Sequence, residues 1–397
     1  MSTIRVNTIQ HSSANGGNMI LHANGNVSML TANSTLFIGN TSISNAGISV
    51  SGVAVNPLNP GMRNRIINGA MMIDQRYAGV ANTVASSASN YYVIDRFFHG
   101  NIGTTGTYTV QQMNGANTSA SNYESGSVPS SGGFINSMKL TVGTANTSTP
   151  SGGFTGVYHA IEGLNTYDLG WGTSAAKSIT VSFWTKSSIT GQFSAGIWNP
   201  SATQTYPMSF TISQANTWQF VTIVVPGSTT GTWLTNNNAG IYFAIFPSLG
   251  SVYLSSSTGW TSNLYGLTGQ TNWMATSGNT FYITGLQIEA GTVATPFEFR
   301  QYGQEFALCQ RYYETLNNDS GNALLLHHYY ATSNYWTYWY FRTSKRAAPT
   351  VRTLGTWTNA VPTFYPGTDI VSLNASAAAY IGQVSVGQPV ISASAEL

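Results

Sequence analysis

Charge is scarce in this sequence. Lys and Arg supply fourteen residues and Asp and Glu twelve of 397, together 7%, where ordinary soluble domains carry roughly a quarter. The balance of +2 leaves no basic footprint, which argues against a nucleic-acid partner. One cysteine, Cys309, excludes an internal disulfide framework and a four-cysteine zinc site. Apolar runs are short as well. The run 241–246 is among the longest and falls far below the ~18–20 residues of a membrane helix, so no membrane insertion is expected. The opening residues 1–5 lack the charged and apolar regions of a secretory signal, and assembly in a cytosol-like compartment is expected.

The scarcity also limits chemistry. Residues 187–288 contain no Asp, Glu, Lys, Arg or His, so that stretch cannot supply a general acid or base. A glycosidase needs two carboxylates across a cleft. Several of the twelve available sit beside arginine: Asp74 near Arg76, Asp95 next to Arg96, Glu298 near Arg300. Such neighbours are expected to be structural ion pairs, and no catalytic residue is assigned. His327 and His328 are adjacent, and on a strand they would face opposite sides. His99 and His159 lack partners at ligand spacing, so no cofactor and no transition metal is expected. Calcium stays open, with Asp74, Asp95 or Glu289 as contributors, because backbone carbonyls can complete its shell.

What the sequence does have is strand pattern. Residues 1–60 carry one charge, Arg5, and read as short strands split by Asn and Gly, with Asn24–Gly25 as a hairpin turn. So thin a segment cannot bury a core alone, and an oligomeric shaft or docking segment is expected. After a Pro/Asn/Gly linker, residues 61–300 alternate with a period of two. Ile179/Val181/Phe183, Phe193/Ala195/Ile197, Met208/Phe210/Ile212 and Trp218/Phe220/Thr222/Val224 each read as the buried face of a strand. The phase switches between Phe281/Ile283 and Leu286/Ile288 across Gly285, which predicts a bulge. Tyr302, Phe306, Cys309 and Tyr313 recur at helical spacing and predict a short helix over 301–315. Residues 301–397 then read as that helix plus a small β module.

Aromatics are plentiful: 22 Tyr, 10 Trp and 17 Phe among neutral hydrogen-bonding groups. Flat rings beside hydroxyls and amides suit a sugar, whose C–H face stacks while its hydroxyls pair at the edge. The candidate glycan-binding residues are Trp260, Tyr265 and Trp273 in one loop-like segment, and Tyr335, Trp336 and Trp339 in the terminal module. Burial in a core or a subunit interface is the competing assignment for both groups.

Residues 64–76 (NRIINGAMMIDQR) and 92–97 (YVIDRF) resemble the opening of a domain found in bacteriophage tail fibres and related virion proteins. Residues 284–298 (TGLQIEAGTVATPFE) resemble its closing strand, 301–314 (QYGQEFALCQRYYE) the helix after it, and 342–351 (RTSKRAAPTV) a motif found downstream. The resemblance implies a mainly β fold. That fold is an antiparallel jelly-roll sandwich, similar to carbohydrate-binding modules, with an N-terminal oligomeric β stalk, one short helix and a small C-terminal β module. It implies a homotrimer located in the virion tail and assembled in the host cytoplasm. The expected partners are two further copies of the chain, tail or baseplate proteins and a host-surface glycan. The function that follows is receptor binding and host attachment without catalysis. A purely structural place in a neck, baseplate or capsid decoration is the alternative, and a polysaccharide depolymerase the third.

Overall fold

The structure is a computed structural model. It describes residues 62–318, 335–354, 357–358, 361–375, 380–381 and 388–397, together with the backbone of seven short strands between residues 8 and 55. The chain divides into two compact units, 1–63 with 293–297 and 64–292 with 298–397. In the first unit Thr8–Ile9, Met19–Leu21 and Val27–Met29 pair antiparallel, as do Leu36–Ile38, Thr41–Ser44, Gly47–Val50 and Val53–Val55. The hairpin expected at Asn24–Gly25 has both arms, Met19–Leu21 and Val27–Met29, while its turn lies outside the described residues. Most of the proposed shaft lies outside them too.

The second unit is built on two facing sheets. The longer has the order Leu254–Ser255, Gly266–Leu267, Thr205–Ile212, Gly191–Trp198, Ala239–Leu249, Phe154–Glu162, Phe97–Ile102 and Ala88–Tyr92. The shorter runs Gln219–Val225, Ile179–Ser187, Thr280–Ala290, Asn136–Val142, Tyr108–Asn114 and Asn82–Val84. Neighbours are antiparallel except at the two-residue strand Gly266–Leu267. Along the chain the strands cross repeatedly from one sheet to the other, which makes this an antiparallel jelly-roll sandwich. Period-two alternation sends Ile179, Val181, Phe183, Phe193, Ala195, Ile197, Met208, Phe210 and Ile212 into one shared core. Full burial of each Val, Ile or Phe side chain stabilises the fold by about 1.5–3 kcal/mol.

Two sequence expectations need correction here. Along Gln219–Val225 the phase is the reverse of that expected: Phe220 and Val224 are exposed while Val225 is fully buried. The strand lies at the sheet edge, and its pairing Val221↔Phe183, Ile223↔Val181 and Val225↔Ile179 puts the odd-numbered residues inward. The helix is shorter than 301–315. It spans Tyr302–Gln310, and Tyr313 opens the strand Tyr313–Asn318, paired with Gln388–Ser394. The bulge at Gly285 is present: the register shifts opposite Ser182–Trp184 and Gly285 adopts φ +63°.

Among its described residues the terminal part holds two three-stranded antiparallel sheets and a short strand pair. Its own core contains Trp339, Val371, Leu373, Ala375, Val390, Ile391 and Ala393. Among the described residues no helix is long and apolar enough to cross a membrane.

Candidate functional site

The outer face of the long sheet carries a layer of rings. Register explains it, because directly paired residues share a face. One row reads Tyr92↔Phe98↔Tyr158↔Ala244↔Gly196 and the next Ala160↔Tyr242↔Trp198. Small residues alternate with aromatics, so rings lie over backbone. A Cβ on Gly156 would come 2.7 Å from the Tyr158 ring, and one on Gly100 would come 3.0 Å from Phe154. Phe98 stacks on Tyr158 (5.0 Å, 12°) and Trp198 on Tyr242 (5.8 Å, 17°). Phe98, Tyr158, Trp198 and Phe246 are buried, whereas Tyr92, Tyr242, Tyr253 and Tyr265 are half-buried at the rim.

Tyr265 belongs to this layer. Its segment lies over Gly196, held by Tyr265 N–H donating to Tyr253 O (2.8 Å), and its ring meets Trp198 edge-on at 4.9 Å. The hydroxyls of Tyr242 and Tyr265 make no hydrogen bond among the described residues. Burial raises both phenols above their ordinary pKa, so both remain protonated donors.

Trp260 lies elsewhere, in a cluster with Trp171 (5.4 Å), Trp233 (5.6 Å) and Tyr206 (5.3 Å). Indole N–H groups there donate to backbone: Trp171 to Lys177 O, Trp233 to Thr230 O and Trp260 to Pro226 O. These bonds tie loops together and leave ring surface, not donors, on offer. Trp273 is a core residue and not a binding residue. It is completely buried between the sheets, against Tyr108 and Phe281, because the short turn Trp273–Ala275 directs it inward.

In the terminal module the alternation of Tyr335–Tyr340 separates two roles. Trp339 points into the small core and is buried, so it too is withdrawn from the candidate site. Tyr338 and Tyr340 are exposed, and half-buried Trp336 stacks on Tyr365 (5.6 Å, 28°). Pairing through Ile370–Ala375 puts Trp336, Tyr338 and Tyr365 on one face. The side chain of Tyr335 lies outside the described residues, as do His327 and His328. The readable signal for Trp198 and Tyr242 is Gly or Ala two residues away from a ring along one strand: Gly196 before Trp198, Ala244 after Tyr242.

The few charges concentrate elsewhere, where the family-like segments meet. Ion pairs there join Arg76, Arg96, Arg300, Arg311 and Lys345 to carboxylates, while Arg65–Asp168 and Lys139–Glu124 lie apart. Pairing does not follow sequence adjacency. Asp95 faces Arg76 (3.6 Å), and Arg96 pairs with Glu396. Asp74 instead accepts backbone N–H groups of Arg76, Tyr77 and Gly79. Only Glu298 with Arg300, at 3.4 Å, matches the expected pair. Arg300 also meets Glu305 (3.2 Å), Arg311 meets Glu162 (2.6 Å) and Lys345 meets Glu314 (2.6 Å). Among the described residues no cluster of three His, Cys, Asp or Glu could hold a metal ion. Of the calcium contributors considered, Asp95 accepts from Gln75, and Glu289 accepts from the Gln287 amide.

No protein-family model matches the sequence, and no curated protein does. Solved structures that resemble the fold include a bacteriophage CBA120 tailspike protein 4 domain (TM-score 0.30, 13% identity). That match covers 58% of this chain and 22% of the tailspike chain. A CBM4 structure (0.26, 13%) matches over 56% of this chain and 98% of its own. A family 11 carbohydrate-binding module from Clostridium thermocellum, in complex with a β-1,3-1,4-mixed-linked tetrasaccharide, gives 0.26 and 12%, over 55% and 99%.

Proposed function

We propose that this chain is a non-catalytic attachment protein of a virion tail fibre, holding a host-surface glycan as a trimer. One arrangement supports the reading above all: a ring-paved sheet face whose rim phenols, Tyr242 and Tyr265, lack partners among the described residues. A sugar ring stacks its C–H face on the half-buried rim rings and bonds its hydroxyls to their phenols. The absence of any Asp, Glu, Lys, Arg or His over 187–288 supports binding without turnover. The thin strand set of residues 1–60 and the tail-fibre resemblance support assembly with two further copies and docking to tail or baseplate proteins. Three linked sites would raise weak sugar affinity by about 100–10,000-fold.

The test is adsorption of the labelled full chain to host cells and to purified surface polysaccharide. Wild type is expected to adsorb; Tyr242→Phe and Tyr265→Phe, which remove only the unpartnered hydroxyls and keep the packed rings, are expected to adsorb weakly while keeping the wild-type unfolding temperature. Absence of adsorption at any valency would favour a purely structural virion role. Release of reducing ends, abolished by a single carboxylate substitution, would establish a depolymerase instead. Sedimentation of a folded monomer would refute the trimer.

A further inference from the structure

Away from the ring-paved sheet, a cleft of about 520 Å³ opens between the turn after Asp74, the helix Tyr302–Gln310, the strand Tyr313–Asn318 and Arg342. Its lining combines two unusual features. Tyr302 and Phe306, one helical turn apart, hold their rings nearly parallel (11°) with centroids 5.9 Å apart. Glu305 and Cys309 of this helix are buried, whereas Tyr302 in its first turn is left 60% exposed. That makes a flat apolar shelf at the cleft mouth.

The second feature is an uncommitted cation. The Arg342 backbone N–H is anchored by the Glu314 carboxylate (3.1 and 3.2 Å), but its guanidinium makes no hydrogen bond or ion pair among the described residues. The acidic groups nearby are already engaged. Both Asp74 oxygens accept backbone N–H groups, and Glu314 is paired with buried Lys345. Arg76 is spent on Asp95 and Glu396. The side chains of Gln310, Thr315 and Asn317 add neutral hydrogen-bonding groups. The mouth therefore holds one guanidinium with no partner among the described residues, next to a stacking surface.

We infer that this cleft binds an acidic sugar unit, stacking its ring on Tyr302 and Phe306 and pairing its carboxylate with the fork of Arg342. The inference rests on the glycan-attachment reading and adds a second, charge-selective subsite to it. Guanidinium presents two parallel donors that match a carboxylate, and this geometry selects acidic over neutral sugars. A neutral sugar offers this cation no counter-charge.

The experiment places the full-length protein on an array of oligosaccharides carrying uronic, sialic or ulosonic acid units, each beside its carboxyl-reduced neutral counterpart. At least one acidic member is expected to bind at least tenfold more tightly than its counterpart, and less tightly as salt rises. Arg342→Gln is expected to remove that preference. Tyr302→Ala is expected to weaken both members of the pair at this cleft, and neither substitution should lower the unfolding temperature, since both side chains are exposed. Binding of neutral glycans through Tyr242 and Tyr265 should be unchanged in Arg342→Gln. No preference for any acidic member would overturn the inference while leaving the sheet-face reading standing. Preference that survives Arg342→Gln would overturn it too. Loss of the trimer in Arg342→Gln, read by sedimentation, would make the cleft a subunit contact and also defeat the proposal.

Discussion

The guanidinium of Arg96 lies over the ring of Tyr312, its carbon 3.5 Å from the centroid, with the Glu396 carboxylate paired at its edge. Arg96 also donates to Ala160 O at 2.7 Å and is buried. This contact joins three of the segments that matter most: the YVIDRF motif, the turn after the helix and the residues that follow the strand Gln388–Ser394.

Glu396→Gln should therefore destabilise the whole second unit, 64–292 with 298–397. It leaves Arg96 buried without a counter-charge and takes one of two partners from Arg76. Breaking a buried pair from one side costs about 3–5 kcal/mol, measurable by chemical denaturation. Arg96→Lys should not spare the fold, since a lysine cannot both lie flat on Tyr312 and fork to the carboxylate. A loss below about 1 kcal/mol for either variant would contradict this account.

Acid should weaken the fold through His99. Burial alone pushes its imidazole down to about 3 from the ordinary 6.5, and neither ring nitrogen has a hydrogen-bond partner. The folded chain refuses a proton that the unfolded chain accepts below 6.5. The resulting stability is complete above about pH 6.5 and is lost as pH falls toward 3, by at most about 1.4 kcal/mol per pH unit. Asp95, whose carboxyl burial raises to about 7, titrates with the opposite sign, so the comparison must be between variants. His99→Phe should gain on wild type steadily from pH 6.5 to pH 4. A pH-independent difference would count against it.

Gly285→Ala should cost more than about 1 kcal/mol. The residue sits at φ +63°, where an L side chain loses roughly 1–2 kcal/mol. The new Cβ would also stand 2.6 Å from the buried ring of Phe134. Thermal unfolding of the variant measures both effects together.

Neighbouring valines test the edge strand. Val224→Ser should change stability by less than about 0.5 kcal/mol, because Val224 is exposed. Val225→Ser should cost about 2 kcal/mol or more, since it replaces a fully buried apolar group with a hydroxyl. Equal losses at the two sites would refute the pairing Val225↔Ile179.

Local alternation made much of the sandwich legible. Strands such as Ile179–Ser187 and Gly191–Trp198 have core residues at every second position, with Thr180 and Ser182, or Ser194 and Gly196, between them. The edge strand misled because its solvent side is also apolar at Phe220 and Val224, so both phases look hydrophobic. Tyr313 fell at helical spacing from Cys309 by coincidence; its pairing with Ser394 makes it a strand residue. The pairing of the sheet-face rings was not legible, because Phe98 meets Tyr158, and Trp198 meets Tyr242, only through register between distant strands. Of the loop aromatics, Trp260 and Tyr265 kept some exposed surface, while Trp273 turned inward. The true partners of Arg76 and Arg96 were equally hidden, since Glu396 lies 320 and 300 positions away.

That distance has a consequence for biogenesis. Until residue 396 emerges from the ribosome, the nascent sandwich must carry the Arg96 guanidinium without the anion that neutralises it. The strands around it can form early, but the region near Phe97 and Tyr158 should stay open to proteases until the late segment arrives. This unit then locks only once the segment around Glu396 has been made, however early its strands begin to pair.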